Sequence, residues 1–159
     1  MLAHELIRGY GRKLISPRCM IQMDIQKAYD TVEWLALNQI MCSLRFPQNF
    51  VNWTMTYITS VSYKFSLNGE PSDVLKSKRG LRKGGPISPL LFVLIMEYLY
   101  RVLQTLKDAS DFIFHPKCDK LKIINICFAD DILLFSRADV PSIKLIVNKI
   151  RDFTQATGL

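Results

Sequence analysis

The amino-acid sequence predicts an α+β fold from the order of its elements and its two hairpins, and a packed interior from its composition. Its apolar segments run in the order strand, helices, hairpin, helix, hairpin, helix. Two hairpins without a regular strand–helix–strand alternation argue against a doubly wound parallel sheet. Hydrophobic residues make up 49% of 159 residues, enough for one packed interior and too many for long disorder.

Residues 1–18 read as a short helix followed by a basic loop carrying Arg8, Arg12, Lys13 and Arg18. The apolar run from Cys19 to Ile25 predicts a buried strand. Asp30, with Glu33 three residues on, is placed to cap a helix that carries Trp34, Leu37, Ile40, Met41 and Leu44 and stops before Pro47. A second helix is expected over Asn49 to Thr59, held by Phe50, Trp53, Met55 and Tyr57. Tyr63, Phe65 and Leu67 alternate with polar residues, which is strand periodicity. Asn68-Gly69 then marks a turn into a strand near Asp73 to Lys78.

A glycine-rich basic segment covers Lys76 to Pro89, and Pro89 to about Leu106 predicts a long apolar helix. Ile123 to Phe128 and Ile132 to Phe135 are strong strands separated only by Ala129, Asp130 and Asp131, so a tight antiparallel hairpin follows. The last segment places Ile143, Ile146, Val147, Ile150 and Phe153 on one helical face and polar residues on the other, with Gly158 at its natural stop.

The net charge of +7 and pI near 9.3 fit a polyanionic partner without identifying one. Cys19, Cys42, Cys118 and Cys127 have neither C-x-x-C spacing nor an adjacent histidine, which argues against a zinc site and a disulfide scaffold. They read as reduced thiols of an intracellular protein, with nucleus and cytoplasm not distinguished. His4 and His115 read as surface or loop residues. The longest apolar run, Leu90 to Met96, is too short to span a bilayer, so no membrane partner is expected. No basic region with a long apolar stretch marks a signal peptide.

The sharpest feature is Phe128-Ala129-Asp130-Asp131. Adjacent aspartates repel, and a packed hairpin resists desolvating them; a cation relieves both penalties. The bland alternative is an ordinary aspartate turn. Asp24, at the end of its apolar strand, adds a third carboxylate if that strand pairs beside the hairpin; alone, it is an exposed strand-end residue. Three hard oxygen donors of this kind suit Mg²⁺, which keeps waters and takes substrate phosphate oxygens as further ligands. Two such ions roughly 4 Å apart activate an attacking oxygen and steady a leaving one.

In the basic segment, Gly84 and Gly85 permit close backbone approach, while Pro86 and Pro89 stiffen the entry to the helix. Lys76, Lys78, Arg79, Arg82 and Lys83 occur there with no acid among them, which suits phosphate contacts or, more plainly, a solvated loop.

Three segments resemble the ordered catalytic motifs of reverse transcriptases. Asp24-Ile25-Gln26-Lys27-Ala28-Tyr29-Asp30 resembles the first, Arg79 through Phe92 the second, and Phe128-Ala129-Asp130-Asp131 the third. The phenylalanine before Ala-Asp-Asp and the Lys-Ala-aromatic-Asp look most like non-LTR (LINE-type) retrotransposons; a group II intron maturase is the nearest rival. The resemblance covers nearly the whole chain. It implies a truncated right-hand polymerase fold, mostly palm, with antiparallel strands carrying the carboxylates and packed on helices.

The resemblance also implies RNA-directed DNA synthesis from an RNA template, a DNA primer and deoxynucleoside triphosphates, with two Mg²⁺ ions and Mn²⁺ as the alternative. By the same resemblance Asp24 and Asp130 hold the metals, Asp131 supports them, and the backbone carbonyl of Ile25 reaches one. Tyr29 matches the aromatic that blocks a ribose 2′-hydroxyl, and is equally a core aromatic. Lys83, Gly84 and Gly85 fall at the nucleotide, and Lys78, Arg79 and Arg82 at nucleic acid. Asp30 is assigned to helix capping rather than to metal.

The chain departs from the family pattern at two positions. Lys83 stands where the family usually has glutamine, and Gly85 where non-LTR elements usually have aspartate. Residues 1–159 read as one partial domain, lacking the start of the fingers and the thumb, and on that basis inactivity of the isolated chain is expected. A non-catalytic nucleic-acid binder and an inert remnant are the competing classes.

Overall fold

In the computed structural model, residues 16–128 and 130–159 are described. The expected N-terminal helix, with His4, Arg8, Arg12 and Lys13, lies outside the described residues, as does Ala129. The chain divides into two compact units. One joins the segment up to Gln26 with Leu99–Phe153; the other joins Lys27–Tyr98 with Thr154–Leu159. Helices and antiparallel strands make the architecture α+β.

The first unit is built on a three-stranded antiparallel sheet of β1 (Cys19–Asp24), β6 (Asn125–Phe128) and β7 (Asp131–Ser136), in the order β1-β7-β6. The central strand is apolar almost without a break, and Ile132, Leu134 and Phe135 are fully buried, as befits a strand flanked on both edges. Cys118 and Phe135 centre a small core joined by Met20, Ile123, Ile126 and Leu133. The Phe135 amide also donates to the Ile124 carbonyl at 2.7 Å, carrying β7 past the end of β6.

Free Cys118 is core filler, as its lack of partners in the sequence implied. His115 lies in a loop, one of the two places expected for it, but not at the surface. It is wholly buried, its ring edge-on to Phe135 with centroids 5.9 Å apart. Burial comes first in lowering its pKa, with Arg18 and Lys117 adding to the effect.

In the second unit, α1 (Ala28–Thr31) is a single turn, and Val32 then adopts φ −52°, ψ 121°, which breaks the helix. The expected cap at Asp30 is therefore displaced. α2 (Trp34–Ser43) begins after Glu33, which makes no side-chain cap bond, and Asp30 lies inside the preceding turn. The Glu33 amide is instead satisfied by the Thr157 carbonyl at 2.9 Å. α2 ends before Pro47, in a Schellman arrangement. Arg45 has φ 60°, its amide bonds Cys42 at 3.0 Å, and the Phe46 amide reaches back to Met41 at 3.1 Å.

α3 (Gln48–Thr59) packs with α2. It buries Val51, Thr54 and Ile58, whereas Trp53 is 71% exposed, so the inward stripe differs from the aromatic one read from the sequence. The following hairpin turns at Asn68-Gly69, both with positive φ. It is interrupted rather than continuous: β2 (Ser62–Tyr63) pairs with β5 (Leu75–Lys76), and β3 (Ser66–Leu67) with β4 (Glu70–Pro71). Between them Ser72 bridges the gap, its amide donating to the Phe65 carbonyl at 2.6 Å and its hydroxyl accepting from the Phe65 amide at 2.9 Å.

α4 (Ser88–Gln104) continues through a 3-10 turn, Thr105–Asp108. The 21 residues Ser88–Asp108 are long and apolar enough, by length and composition, to cross a bilayer, which the run from Leu90 to Met96 did not reveal. Leu91, Phe92, Ile95, Leu99, Leu103 and Leu106 form a buried stripe along it, whereas Leu90, Val93 and Tyr100 are exposed, so 39% of the apolar window is buried. α5 (Val140–Thr157) buries Ile146 and Phe153 on its apolar face and ends at Gly158, φ 78°.

Candidate functional site

In the first unit, β1 ends on Asp24 and β7 begins on Asp131, and their antiparallel register sets these two residues directly opposite each other. Opposed residues of an antiparallel pair project to the same face, so two carboxylates meet across the strands. Asp130 occupies the turn just before, and its carbonyl accepts from the Ile25 amide at 3.3 Å, extending the pairing one step beyond the strands. The Ile25 side chain is buried, anchoring the backbone next to Asp24.

All three aspartates are exposed, and among the described residues none forms a salt bridge. Like charges placed opposite each other destabilise the pairing. Among the described residues no group of three or more His, Cys, Asp or Glu side chains is arranged to hold a metal ion.

In the second unit, the basic segment is locked to the turn that follows Lys27. The Gly80 amide donates to Val32 at 2.8 Å, the Leu81 amide to Tyr29 at 2.6 Å, and the Trp34 indole N–H to the Gly80 carbonyl at 2.7 Å. Gly80 has φ 90°, and a Cβ there would lie 2.7 Å from the Asp30 carbonyl oxygen, so only glycine fits. Beyond it Arg82 and Lys83 are exposed, as are Lys78 and Arg79 before it. Arg79 approaches Glu33 at 3.9 Å, and Lys83 pairs with Asp30 at 2.8 Å. Both are surface pairs of small energetic weight.

Gly84, φ 78°, faces open space. Gly85 is buried; a Cβ would meet the Tyr57 hydroxyl at 2.7 Å and the Ser88 hydroxyl at 2.8 Å. That crowding gives a physical reason for glycine, rather than a larger residue, at this position. The Ser88 hydroxyl donates to the Arg82 carbonyl at 2.7 Å and fixes the loop as it enters α4. Tyr29 is half-buried, its ring stacked on Phe92 with centroids 5.0 Å apart.

The structure thus gathers Asp24, Asp130 and Asp131 at one sheet end, and in the other unit ties Tyr29 and Lys83 to one framework. Sequence reasoning missed Tyr63 and Phe65 as companions of the basic residues. All five of Tyr63, Phe65, Arg79, Arg82 and Lys83 line one cavity of about 470 Å³. The alternation that marked a strand carried no sign that these rings stay in solvent.

The family model for "Reverse transcriptase (RNA-dependent DNA polymerase)" matches residues 3–159. The chain is similar to the retrovirus-related Pol polyprotein from type-1 retrotransposable element R2 of Popillia japonica, 27% identical over 121 residues, covering 76% of this chain and 19% of that protein. It is also similar to that of type-2 retrotransposable element R2DM of Drosophila melanogaster, 24% identical over 155 residues, covering 98% of this chain and 14% of that protein. The chain therefore spans about a fifth or less of the length of these relatives.

Among solved structures, apo telomerase from Candida tropicalis truncated from its C-terminal domain superposes with TM-score 0.65 at 16% identity, over 88% of this chain and 28% of that one. Telomerase from the same organism in complex with a TWJ fragment of telomeric RNA gives TM-score 0.68 at 13% identity, over 97% and 26%. These likenesses show a shared polymerase-type fold.

Proposed function

The chain belongs to the reverse transcriptase family, and from that premise we propose that it supplies the metal-binding carboxylates and a phosphate-contacting loop of the RNA-directed DNA polymerase of a non-LTR retrotransposon. The observation that carries this reading is the register of β1 and β7, which sets Asp24 opposite Asp131 with Asp130 in the adjoining turn. Likeness to a telomerase whose structure contains RNA supports a nucleic-acid template as partner.

In the proposed reaction the 3′-hydroxyl oxygen of a DNA primer attacks the α-phosphorus of a deoxynucleoside triphosphate. One P–O ester bond forms, the bond between the α-phosphorus and the bridging oxygen breaks, pyrophosphate leaves with the electron pair, and the hydroxyl proton passes to solvent water. Asp24 and Asp130 would hold divalent ions, Mg²⁺ by donor type, with Asp131 and the Ile25 carbonyl in support. When bound, such ions supply Lewis-acid stabilisation of the charge that develops on phosphate oxygens. Lys78, Arg79 and Arg82 neutralise backbone phosphates. Lys83, Gly84 and Gly85 line the approach of the nucleotide, and the Tyr29 ring, braced by Phe92, forms a rigid wall against a 2′-hydroxyl.

Primer extension on an RNA template with Mg²⁺ tests the reading in an R2-type polyprotein that carries this chain in place of its own matching segment, because the isolated chain is expected to be inactive; the wild-type segment is compared with Asp24→Asn and Asp130→Asn. Incorporation is expected to fall by at least about 100-fold in each variant. A second arm follows Mn²⁺ by its electron paramagnetic resonance signal. Binding is expected in the wild type and lost in Asp24→Asn, whose metal-free melting temperature should rise as the like-charge pair is relieved. Unchanged incorporation, or Mn²⁺ binding that ignores the substitution, removes the reading.

A further inference from the structure

The hairpin of β2 to β5 carries its large apolar side chains into solvent, where they contribute nothing to a core. Tyr63 is 45% exposed and Phe65 54%. Two residues apart on an extended segment, they share a face. Their rings are stacked, with centroids 6.5 Å apart and planes inclined by 23°. Both line the cavity of about 470 Å³ that Ser77, Arg79, Arg82 and Lys83 also line.

The electrostatics of this cavity are one-sided. Asp30 is the single acid lining it, and Lys83 already neutralises that carboxylate at 2.8 Å. Arg79 reaches Glu33 only at 3.9 Å, and Arg82 forms no salt bridge among the described residues. Two accessible aromatic faces beside the guanidinium groups of Arg82 and of Arg79, the latter held only by a long surface pair, match one ligand chemistry: a flat, unpaired base attached to an anionic backbone. A duplex does not present its base faces, so the aromatic pair selects for single strands while the cations do not.

We propose that Tyr63 and Phe65 form a stacking platform for single-stranded nucleic acid, with Arg79 and Arg82 holding the adjacent phosphates. The inference rests on the polymerase reading only in taking a nucleic acid as partner; it requires neither the aspartates nor a metal ion.

The test is fluorescence anisotropy of short labelled oligonucleotides in EDTA, using single-stranded RNA, single-stranded DNA and a duplex of the same length. The 159-residue chain is compared with the double variants Tyr63→Ala/Phe65→Ala and Tyr63→Trp/Phe65→Trp, with far-UV circular dichroism as the check on folding. The double alanine variant is expected to bind single strands on the order of 5- to 100-fold more weakly, while duplex affinity stays within about twofold and the tryptophan pair retains binding.

Equal losses on RNA and DNA assign the platform to any single strand, and a loss confined to RNA assigns it to the template. Unchanged single-strand affinity in the folded alanine variant overturns the proposal, as does an equal loss on duplex. Asp24→Asn is expected to bind single strands like the wild type. Normal primer extension by that variant would sink the polymerase reading and leave the platform standing, whereas normal binding by the alanine pair would sink the platform alone.

Discussion

Gly80 shows how a residue written in a motif acquires a physical reason. Its amide, its carbonyl and its missing side chain are all used in docking the basic segment on residues 29–34. Gly80→Ala places a Cβ against backbone in a left-handed conformation, so a loss of at least about 2 kcal/mol is expected, read as a lower urea midpoint. A midpoint equal to that of the wild type would show that the segment relaxes freely. At this scale the sequence singled out Asp24, Asp130 and Asp131, because charges that border apolar strands are conspicuous. It did not expose the pairing of Asp30 with Lys83, since partners 53 positions apart leave no local trace.

Elements were legible in kind more than in orientation. The 3.6-residue period found α2, α3, α4 and α5, but on α3 the stripe that faces inward includes Thr54 and leaves Trp53 in solvent. A periodicity count weights side chains by hydrophobicity, whereas the packing partner decides which stripe is used. Starts of helices were harder still. α5 begins at an uncounted cap, where the Asp139 carboxylate accepts from the Ser142 amide at 2.9 Å. Asp139→Ala is expected to cost about 1 kcal/mol, and Asp139→Asn to retain most of that stability, both measured by thermal melting. Equal melting temperatures for wild type and the alanine variant would dismiss the cap.

Across the whole molecule, the α+β order of elements could be read in advance, but the division into two units could not. Each unit is assembled from segments far apart in sequence, and composition does not change at their boundaries. Global stability should register the buried His115. Its folded pKa lies below its ordinary value because burial disfavours the charged ring, while the unfolded chain titrates near 6.5. The unfolded state therefore binds more protons on acidification. The stability that the neutral ring contributes is complete above the unfolded value and is lost as pH falls from there through the folded one. Urea midpoints are expected to drop as pH falls below about 6.5, with a flatter profile in His115→Gln. Parallel profiles would assign the acid sensitivity to other groups.

The pairing of Cys19–Asp24 with Asp131–Ser136 also limits how this gene can drift. Successive side chains point to opposite faces, so losing or gaining one codon inside either strand turns the terminal aspartate away from its counterpart, even with every other residue intact. A change of two codons keeps the facing but moves the carboxylates out of step along the strands. The turn at Asn68-Gly69 carries no such restriction, so length variation should collect there and be purged from β1 and β7.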